Sequence, residues 1–172
     1  MIPLNRPLYF LLFFVCHELI IAAYYFEYFM GLIPCPLCMV SRLWVVALGV
    51  VFLIAALHKP SGGIQKAYHV VIGLIALLGV ATSAHHVYLQ SLPASEVPNC
   101  GPGLEHMLNT LPFTEVLNQL IQGSGECAEV SWSFIGLSMP AWMLVFYCVM
   151  VVVAILPFLQ KDRQYRFRSN GE

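Results

Sequence analysis

The sequence predicts an all-α membrane protein, a four-transmembrane-helix bundle with cytoplasmic N and C termini. Three observations support this fold class. First, only 10% of the 172 residues are charged and 59% are hydrophobic, whereas soluble domains carry about 25% charged residues. Second, four apolar runs are each long enough to cross a bilayer. Third, the basic residues gather on alternate sides of these runs, which sets the orientation of the chain.

The predicted spans are about 7–30, 39–58, 67–89 and 140–159. Each supplies roughly the 20 residues that a helix needs to cross the hydrocarbon core. Runs this continuous are not barrel strands, and in lipid a spanning segment must satisfy its own backbone hydrogen bonds. We therefore expect residues 1–172 to form one membrane domain. Arg6 before the first run resembles a signal peptide, but no small-residue cleavage site follows, so we expect that span to be retained.

The orientation follows from the positions of the lysines and arginines. All but one of the eight lie before the first span, between the second and third, or after the fourth: Arg6, Lys59, Lys66, Lys161, Arg163, Arg166 and Arg168. By the positive-inside rule the loop 59–66 and the tail 160–172 are cytoplasmic, and the loops 31–38 and 90–139 face outward. Arg42 is the exception. A net charge of −1 without a basic patch argues against a nucleic-acid partner.

The stretch IPCPLCMVSR places a C-x-x-C pair, Cys35 and Cys38, on the outer side. Pro36 suits the first position of a helix, so we expect Cys35 at the helix cap and Cys38 in the first turn. The helix N-terminus and Arg42, four residues later on the same face, should favour a Cys38 thiolate. The competing interpretation is a structural disulfide or two incidental thiols at a helix end.

The other two outward cysteines, Cys100 and Cys127, lie in the long outer loop. They form either a structural disulfide or, with the C-x-x-C pair, one of two exchangeable pairs that pass electrons by thiol–disulfide exchange. A Cys₄ zinc site is disfavoured because only one half has the close spacing that structural zinc prefers. Between these cysteines, residues 111–121 have the apolar spacing of a short amphipathic helix on the membrane surface.

Several polar residues stand out within the spans. His86 and Gln90 are four residues apart on one helix face, at the depth expected for Arg42. A positive charge, an imidazole and an amide at one depth would suit the carbonyl oxygens of a lipid-soluble quinone; the alternative is an interfacial histidine. Ionisable groups within a span are candidates for function, and we expect Glu18 to face the bundle. No role is assigned to His17, Glu18 or Glu27.

Taken together, PCPLCMVSR, HHVYLQSLP and GECAEVSWSFIGLSMPAW resemble the DsbB family of disulfide bond formation proteins. The resemblance covers roughly residues 15–157, and its most specific part is C-A-E-x-x-W-x-F-x-G-L-x-M-P-x-W. It implies a four-helix quinone reductase of the bacterial inner membrane, with its active loops in the periplasm, that reoxidises the thioredoxin-fold thiol oxidase DsbA.

The resemblance also assigns roles to individual residues. Cys100 matches the cysteine that the partner's thiolate attacks, and Cys127 matches its mate, so the redox-active disulfides are Cys35–Cys38 and Cys100–Cys127. An interloop Cys35–Cys127 state is also implied. Cys38 matches the thiolate beside the quinone ring, whether ubiquinone or menaquinone. The remaining family positions near the ring match Arg42, His86 and Gln90.

Two alternatives remain open from sequence. The chain could be a structural or adaptor membrane protein with unreactive structural disulfides, or a relative of the same fold that serves a different partner. Thiol trapping during turnover separates the first alternative from an enzyme, because structural disulfides do not cycle.

Overall fold

Four long helices form most of the chain. The computed structural model describes residues 6–32, 34–93, 112, 114–115, 125–128, 130 and 132–169. The helices are α1 (Arg6–Tyr28), α2 (Pro36–His58), α3 (Gly62–Ser91) and α4 (Met139–Ser169). Each is long and apolar enough to cross a membrane, in α4 over Met139–Phe158. The predicted four-helix all-α membrane fold is confirmed, and the orientation of the termini stays a prediction.

The ends of α2 and α3 follow from local chemistry. Cys35 is the N-cap of α2 and Pro36 is its first residue, as the sequence predicts. At the other end Lys59 adopts a left-handed conformation (φ 48°) and donates its N–H to Ala55 O. Gly62 (φ +61°) then opens α3, five residues before the predicted span 67–89. The short connection makes α2 and α3 antiparallel neighbours.

A close contact between α3 and α4 sets the core. A Cβ atom at Gly79 would lie 2.3 Å from the Tyr147 ring, so only glycine allows the two helices to approach this closely. The Tyr147 hydroxyl in turn donates to Ser41 O at 2.7 Å, which links α4 to α2. The core cluster to which Tyr147 belongs includes fully buried apolar side chains: Leu48, Phe52, Ala55, Ala56, Ile72 and Ala76.

A small hairpin leads into α4. Strand β1 (Ser133–Phe134) pairs antiparallel with β2 (Leu137–Ser138). The two residues between them, Ile135 and Gly136, both have positive φ, as a type I′ hairpin turn requires. The hairpin is anchored to the helix because Trp142 Nε1 donates to Phe134 O at 3.1 Å.

One expectation about α1 is wrong. The Glu18 side chain is 71% exposed and lies 3.6 Å from His17, so it faces away from the bundle. Cys16 is buried as an apolar residue, whereas Cys148 is exposed. Cys100 lies outside the described residues, as does the predicted amphipathic helix at 111–121 apart from residues 112, 114 and 115.

Candidate active site

The C-x-x-C pair lies at the beginning of α2. Cys35 is buried at the N-cap, and Cys38 is half-buried in the first turn. Both are thiols, and the Cys35 Sγ donates a hydrogen bond to the Cys38 Sγ at 3.3 Å. In this hydrogen bond the Cys35 Sγ is the donor and the Cys38 Sγ the acceptor, and the Cys38 thiolate stays a prediction.

Cys127 lies beside the same pair. It ends a short 3₁₀ turn, Gly125–Cys127, and is fully buried against Cys35, Leu37 and Leu89. The ligand atoms of Cys35, Cys127 and His86 all lie within 4.8 Å of one another. The fold therefore brings together cysteines that are 92 positions apart in sequence (127 − 35).

The environment of Cys35 favours its protonated form. Hydrogen bonds with Cys127 and with Cys38, followed by burial, raise the pKa of the Cys35 thiol above its ordinary range. A buried thiolate beside two other sulfur atoms would lack the positive charge that stabilises reactive cysteines. Of the C-x-x-C pair, Cys35 is therefore the less nucleophilic thiol in the reduced protein.

Arg42 is held by the end of α1. It forms an ion pair with Glu27, and its Nη2 donates to Ala23 O at 3.3 Å. The guanidinium also lies over the Tyr24 ring, 5.4 Å from its centroid, a cation–π arrangement. Glu27 on the neighbouring helix is thus an anionic partner of Arg42 that the sequence did not predict, and a role of Arg42 toward the Cys38 thiolate stays a prediction. Spacing along one chain could not pair residues on two helices.

A cavity of about 560 Å³ opens between the four helices beside these residues. That volume is within the range of small-molecule sites. Its wall is largely apolar, with a few polar side chains: Glu27, Ser41, Arg42, Thr82, Ser83, His86 and Gln90. Cys35 and Cys38 also line it. All the cofactor-binding residues expected from sequence, Cys38, Arg42, His86 and Gln90, thus border one space.

The two residues expected to bind a ring differ in their surroundings. His86 is buried, with its Nε2 3.6 Å from Cys35 Sγ, so it contacts the cysteines directly. Gln90 accepts a hydrogen bond from Ser138 Oγ at 2.7 Å, which connects α3 to the hairpin. Ser83 Oγ, by contrast, is buried with no hydrogen-bond partner among the described residues. A ligand with a carbonyl oxygen in the cavity could accept a hydrogen bond from this hydroxyl. Ser83 was not among the residues expected from sequence.

Aromatic rings close one side of the cavity. Phe26 on α1 contacts Trp132, with ring centroids 5.0 Å apart, and Trp132 stacks on Phe134 at 5.9 Å. Trp142 continues the row at 6.3 Å from Phe134. The W-x-F and P-x-W parts of the specific motif therefore build an apolar wall suited to a flat ring. The motif was visible in sequence, but its sequence did not show that these rings lie on one side of the cavity.

Comparison with known proteins places the chain in one family. Residues 5–157 match the family model described as disulfide bond formation protein DsbB. The chain is 47% identical over 150 residues to disulfide bond formation protein B of Nitrosococcus oceani, covering 87% of this chain and 89% of that protein. The proteins of the same name from Hahella chejuensis and Marinobacter nauticus are 45% and 41% identical. These alignments cover 92% and 91% of this chain, and 96% and 94% of those proteins.

The buried cysteine cluster, the cavity beside it and the four spans are thus found in a chain whose relatives are named for disulfide bond formation. The chain belongs to the DsbB family, as a multi-pass membrane protein of disulfide bond formation.

Proposed function

We propose that the protein is a thiol:quinone oxidoreductase of the bacterial inner membrane, with its active loops in the periplasm. It reoxidises a DsbA-like thioredoxin-fold thiol oxidase and passes the electrons through two cysteine pairs to a membrane quinone. The observation that carries this proposal is the 560 Å³ cavity with Cys38 and Arg42 on its wall, next to the cluster of Cys35 and Cys127.

The thiol steps begin with the disulfides Cys35–Cys38 and Cys100–Cys127. The partner's thiolate attacks Cys100 Sγ, a mixed disulfide forms, and Cys127 leaves as a thiolate. The partner's second thiolate then attacks the partner's first cysteine sulfur, the one bonded to Cys100. This leaves the partner oxidised and Cys100 reduced. Each exchange forms one S–S bond and breaks one, so no electrons are lost.

The next exchange passes the electrons to Cys38. The Cys127 thiolate attacks Cys35 Sγ, a Cys35–Cys127 disulfide forms, and Cys38 leaves as a thiolate. The burial of Cys127 within 4.8 Å of Cys35 supports this route. Cys38 is the better leaving group because the start of α2 and Arg42 favour its thiolate.

A quinone fits the residues that line the cavity. The apolar wall and the aromatic row suit a ring, Ser83 Oγ offers an unused hydrogen bond, and Arg42 supplies a positive charge. When bound, the quinone supplies a two-electron acceptor. Arg42 stabilises negative charge at the cavity wall, and Glu27 holds the guanidinium in place. Cys38 and Cys100 together give up the two electrons, which restores the disulfides Cys35–Cys38 and Cys100–Cys127. The two protons that accompany them are those that the partner's dithiol released.

Anaerobic turnover in detergent tests the proposal. With a reduced DsbA-like partner and ubiquinone or menaquinone, we expect one quinone reduced for each partner dithiol oxidised. Without quinone, partner oxidation should stop once the two disulfides of the protein have been used. Thiol trapping at intervals should show both cysteine pairs cycling. Cysteines that stay in one state while the quinone remains oxidised would support a structural or adaptor protein instead.

A further inference from the structure

Cys35, Cys127 and His86 present three soft ligand atoms to a single buried point. Their ligand atoms lie within 4.8 Å of one another, and the residues are 6%, 0% and 4% exposed. Each comes from a different element: the N-cap of α2, the 3₁₀ turn and α3. The cluster is therefore assembled by the fold, and the chain need not rearrange to bring the three side chains together.

The distance between one sulfur and the imidazole nitrogen matches that of a zinc site. Zinc binds thiolate sulfur at about 2.3 Å and imidazole nitrogen at about 2.0–2.1 Å, so tetrahedral angles place the sulfur and the nitrogen roughly 3.6 Å apart. The distance from Cys35 Sγ to His86 Nε2 is 3.6 Å. Two thiolates and an imidazole also form a ligand set that favours zinc over magnesium or calcium.

We propose that the reduced protein binds one zinc-class divalent cation through Cys35, Cys127 and His86, and that the cation holds these cysteines reduced. Binding forms two metal–sulfur bonds and one metal–nitrogen bond. One water of the cation's hydration shell stays as the fourth ligand, and the others are released. The two thiols release their protons to solvent, and nothing is oxidised. A cysteine in a disulfide has no thiolate to give, so cation binding and oxidation of these cysteines exclude each other.

This site differs from the Cys₄ arrangement considered from sequence. It needs neither Cys100 nor Cys38, and it includes a histidine 41 positions from the nearer cysteine (127 − 86). The main competitor within the described residues is chelation by the C-x-x-C pair, whose sulfur atoms are 3.3 Å apart. The two arrangements share Cys35, so His86 and Cys38 are the residues that distinguish them.

Cobalt is a suitable probe because tetrahedral Co²⁺ with thiolate ligands gives visible bands and a thiolate charge-transfer band. The full-length protein is reduced in detergent under anaerobic conditions and titrated with Co²⁺, followed by Zn²⁺. We expect one Co²⁺ per chain with a tetrahedral spectrum, displaced by Zn²⁺. The oxidised wild-type protein, which has the same sequence and needs no substitution, should show no such spectrum.

The variants then assign the ligands. Loss of a residue that only orients a metal ligand costs about 10–100-fold in metal affinity. His86 and Cys127 are proposed as ligands themselves, so His86→Ala and Cys127→Ser should each weaken Co²⁺ binding by at least that factor. Cys38→Ser and the exposed control Cys148→Ser should keep it. The proposal is overturned if the reduced wild type gives no tetrahedral spectrum. It is also overturned if Cys38→Ser abolishes binding while His86→Ala retains it.

Discussion

Arg42 on α2 forms an ion pair with Glu27, near the end of α1, at the wall of the cavity. Both side chains are mostly buried, 19% and 25% exposed. Because Ala23 O and the Tyr24 ring also contact the guanidinium, about one turn of α1 determines how Arg42 faces the cavity. In the proposed reaction α1 therefore contributes to the site although it carries no redox cysteine.

The first prediction concerns this ion pair. Glu27→Gln keeps the size of the side chain but removes the charge that orients Arg42, so charge in the transition state is less well stabilised. We expect kcat for quinone reduction to fall about tenfold, which corresponds to about 1.4 kcal/mol, with a smaller change in KM. The free energy of unfolding should also fall, by about 3 kcal/mol, because removal of one partner of a mostly buried ion pair leaves the other charge uncompensated.

Glu18→Gln is the matched control, because Glu18 lies on the same helix but is 71% exposed, beside His17 and away from the bundle. It should leave both kinetic constants unchanged. If Glu27→Gln also leaves kcat unchanged at a temperature where the protein is fully folded, Glu27 does not position Arg42 for the reaction.

The second prediction concerns the contact between α3 and α4. A methyl group at Gly79 would lie 2.3 Å from the Tyr147 ring, so Gly79→Ala must displace α4 or the ring. We expect a loss of about 1–3 kcal/mol in the free energy of unfolding, as for other overpacked cores, measured by denaturation in detergent. Since Tyr147 also bonds Ser41 O, activity should fall as well.

Gly73→Ala provides the control on the same helix. A Cβ at Gly73 would lie 3.5 Å from the Ala154 Cβ, an ordinary van der Waals contact. Alanine is also the better helix former, so this variant should be neutral or slightly stabilising. Equal losses for the two variants would argue against a specific close approach at Gly79.

The third prediction concerns pH. The raised pKa of Cys35 means that the folded, reduced protein holds this proton more tightly than the unfolded chain does. The resulting stabilisation is fully present below the ordinary cysteine pKa of about 8.5 and is lost as pH rises above that value. We therefore expect the stability of the reduced protein to decline above about pH 8.5, and Cys35→Ser to flatten that decline.

Alkylation followed by mass spectrometry checks the same assignment at each residue. Cys35 modification should still be increasing at about pH 9, above the ordinary cysteine pKa, while Cys38 reacts at lower pH. A Cys35 profile with its midpoint at or below that of Cys38 would contradict the hydrogen-bond direction between the two thiols.

The fourth prediction concerns the interloop disulfide. In a Cys38→Ser, Cys100→Ser double variant, Cys35 and Cys127 remain as the cysteines of the buried cluster. Mild oxidation should join them, because their sulfur atoms lie within 4.8 Å, and peptide mapping under non-reducing conditions detects the link. Disulfides to Cys16 or Cys148 should not form. Failure of Cys35 and Cys127 to join would exclude the proposed electron route between the pairs.

Much of the fold was predictable because the length of an apolar run is enough to identify a membrane-spanning helix. The beginning of α2 at Pro36, with Cys35 as its cap, also follows from local sequence, since proline favours the first helical position. The direction in which Glu18 faces did not follow, because α1 is apolar on nearly every side and its sequence gives no clear inner face.

Site residues could be predicted where they are neighbours on one helix or match the family motif. Contacts between residues on different helices could not be predicted. Cys38 and Arg42 are one helical turn apart, so their common face was evident. The Glu27 partner of Arg42, the contact of His86 with Cys35 and the unsatisfied Ser83 hydroxyl depend on how three helices pack. One sequence read alone does not determine such contacts between helices.

The decisive measurement follows quinone absorbance during anaerobic oxidation of a reduced DsbA-like partner, comparing Cys38→Ser with the exposed control Cys148→Ser. The control should reduce one quinone for each partner dithiol. Cys38→Ser should reduce none while still trapping the partner as a mixed disulfide at Cys100. Quinone reduction by Cys38→Ser at the control rate would show that electrons do not leave through Cys38.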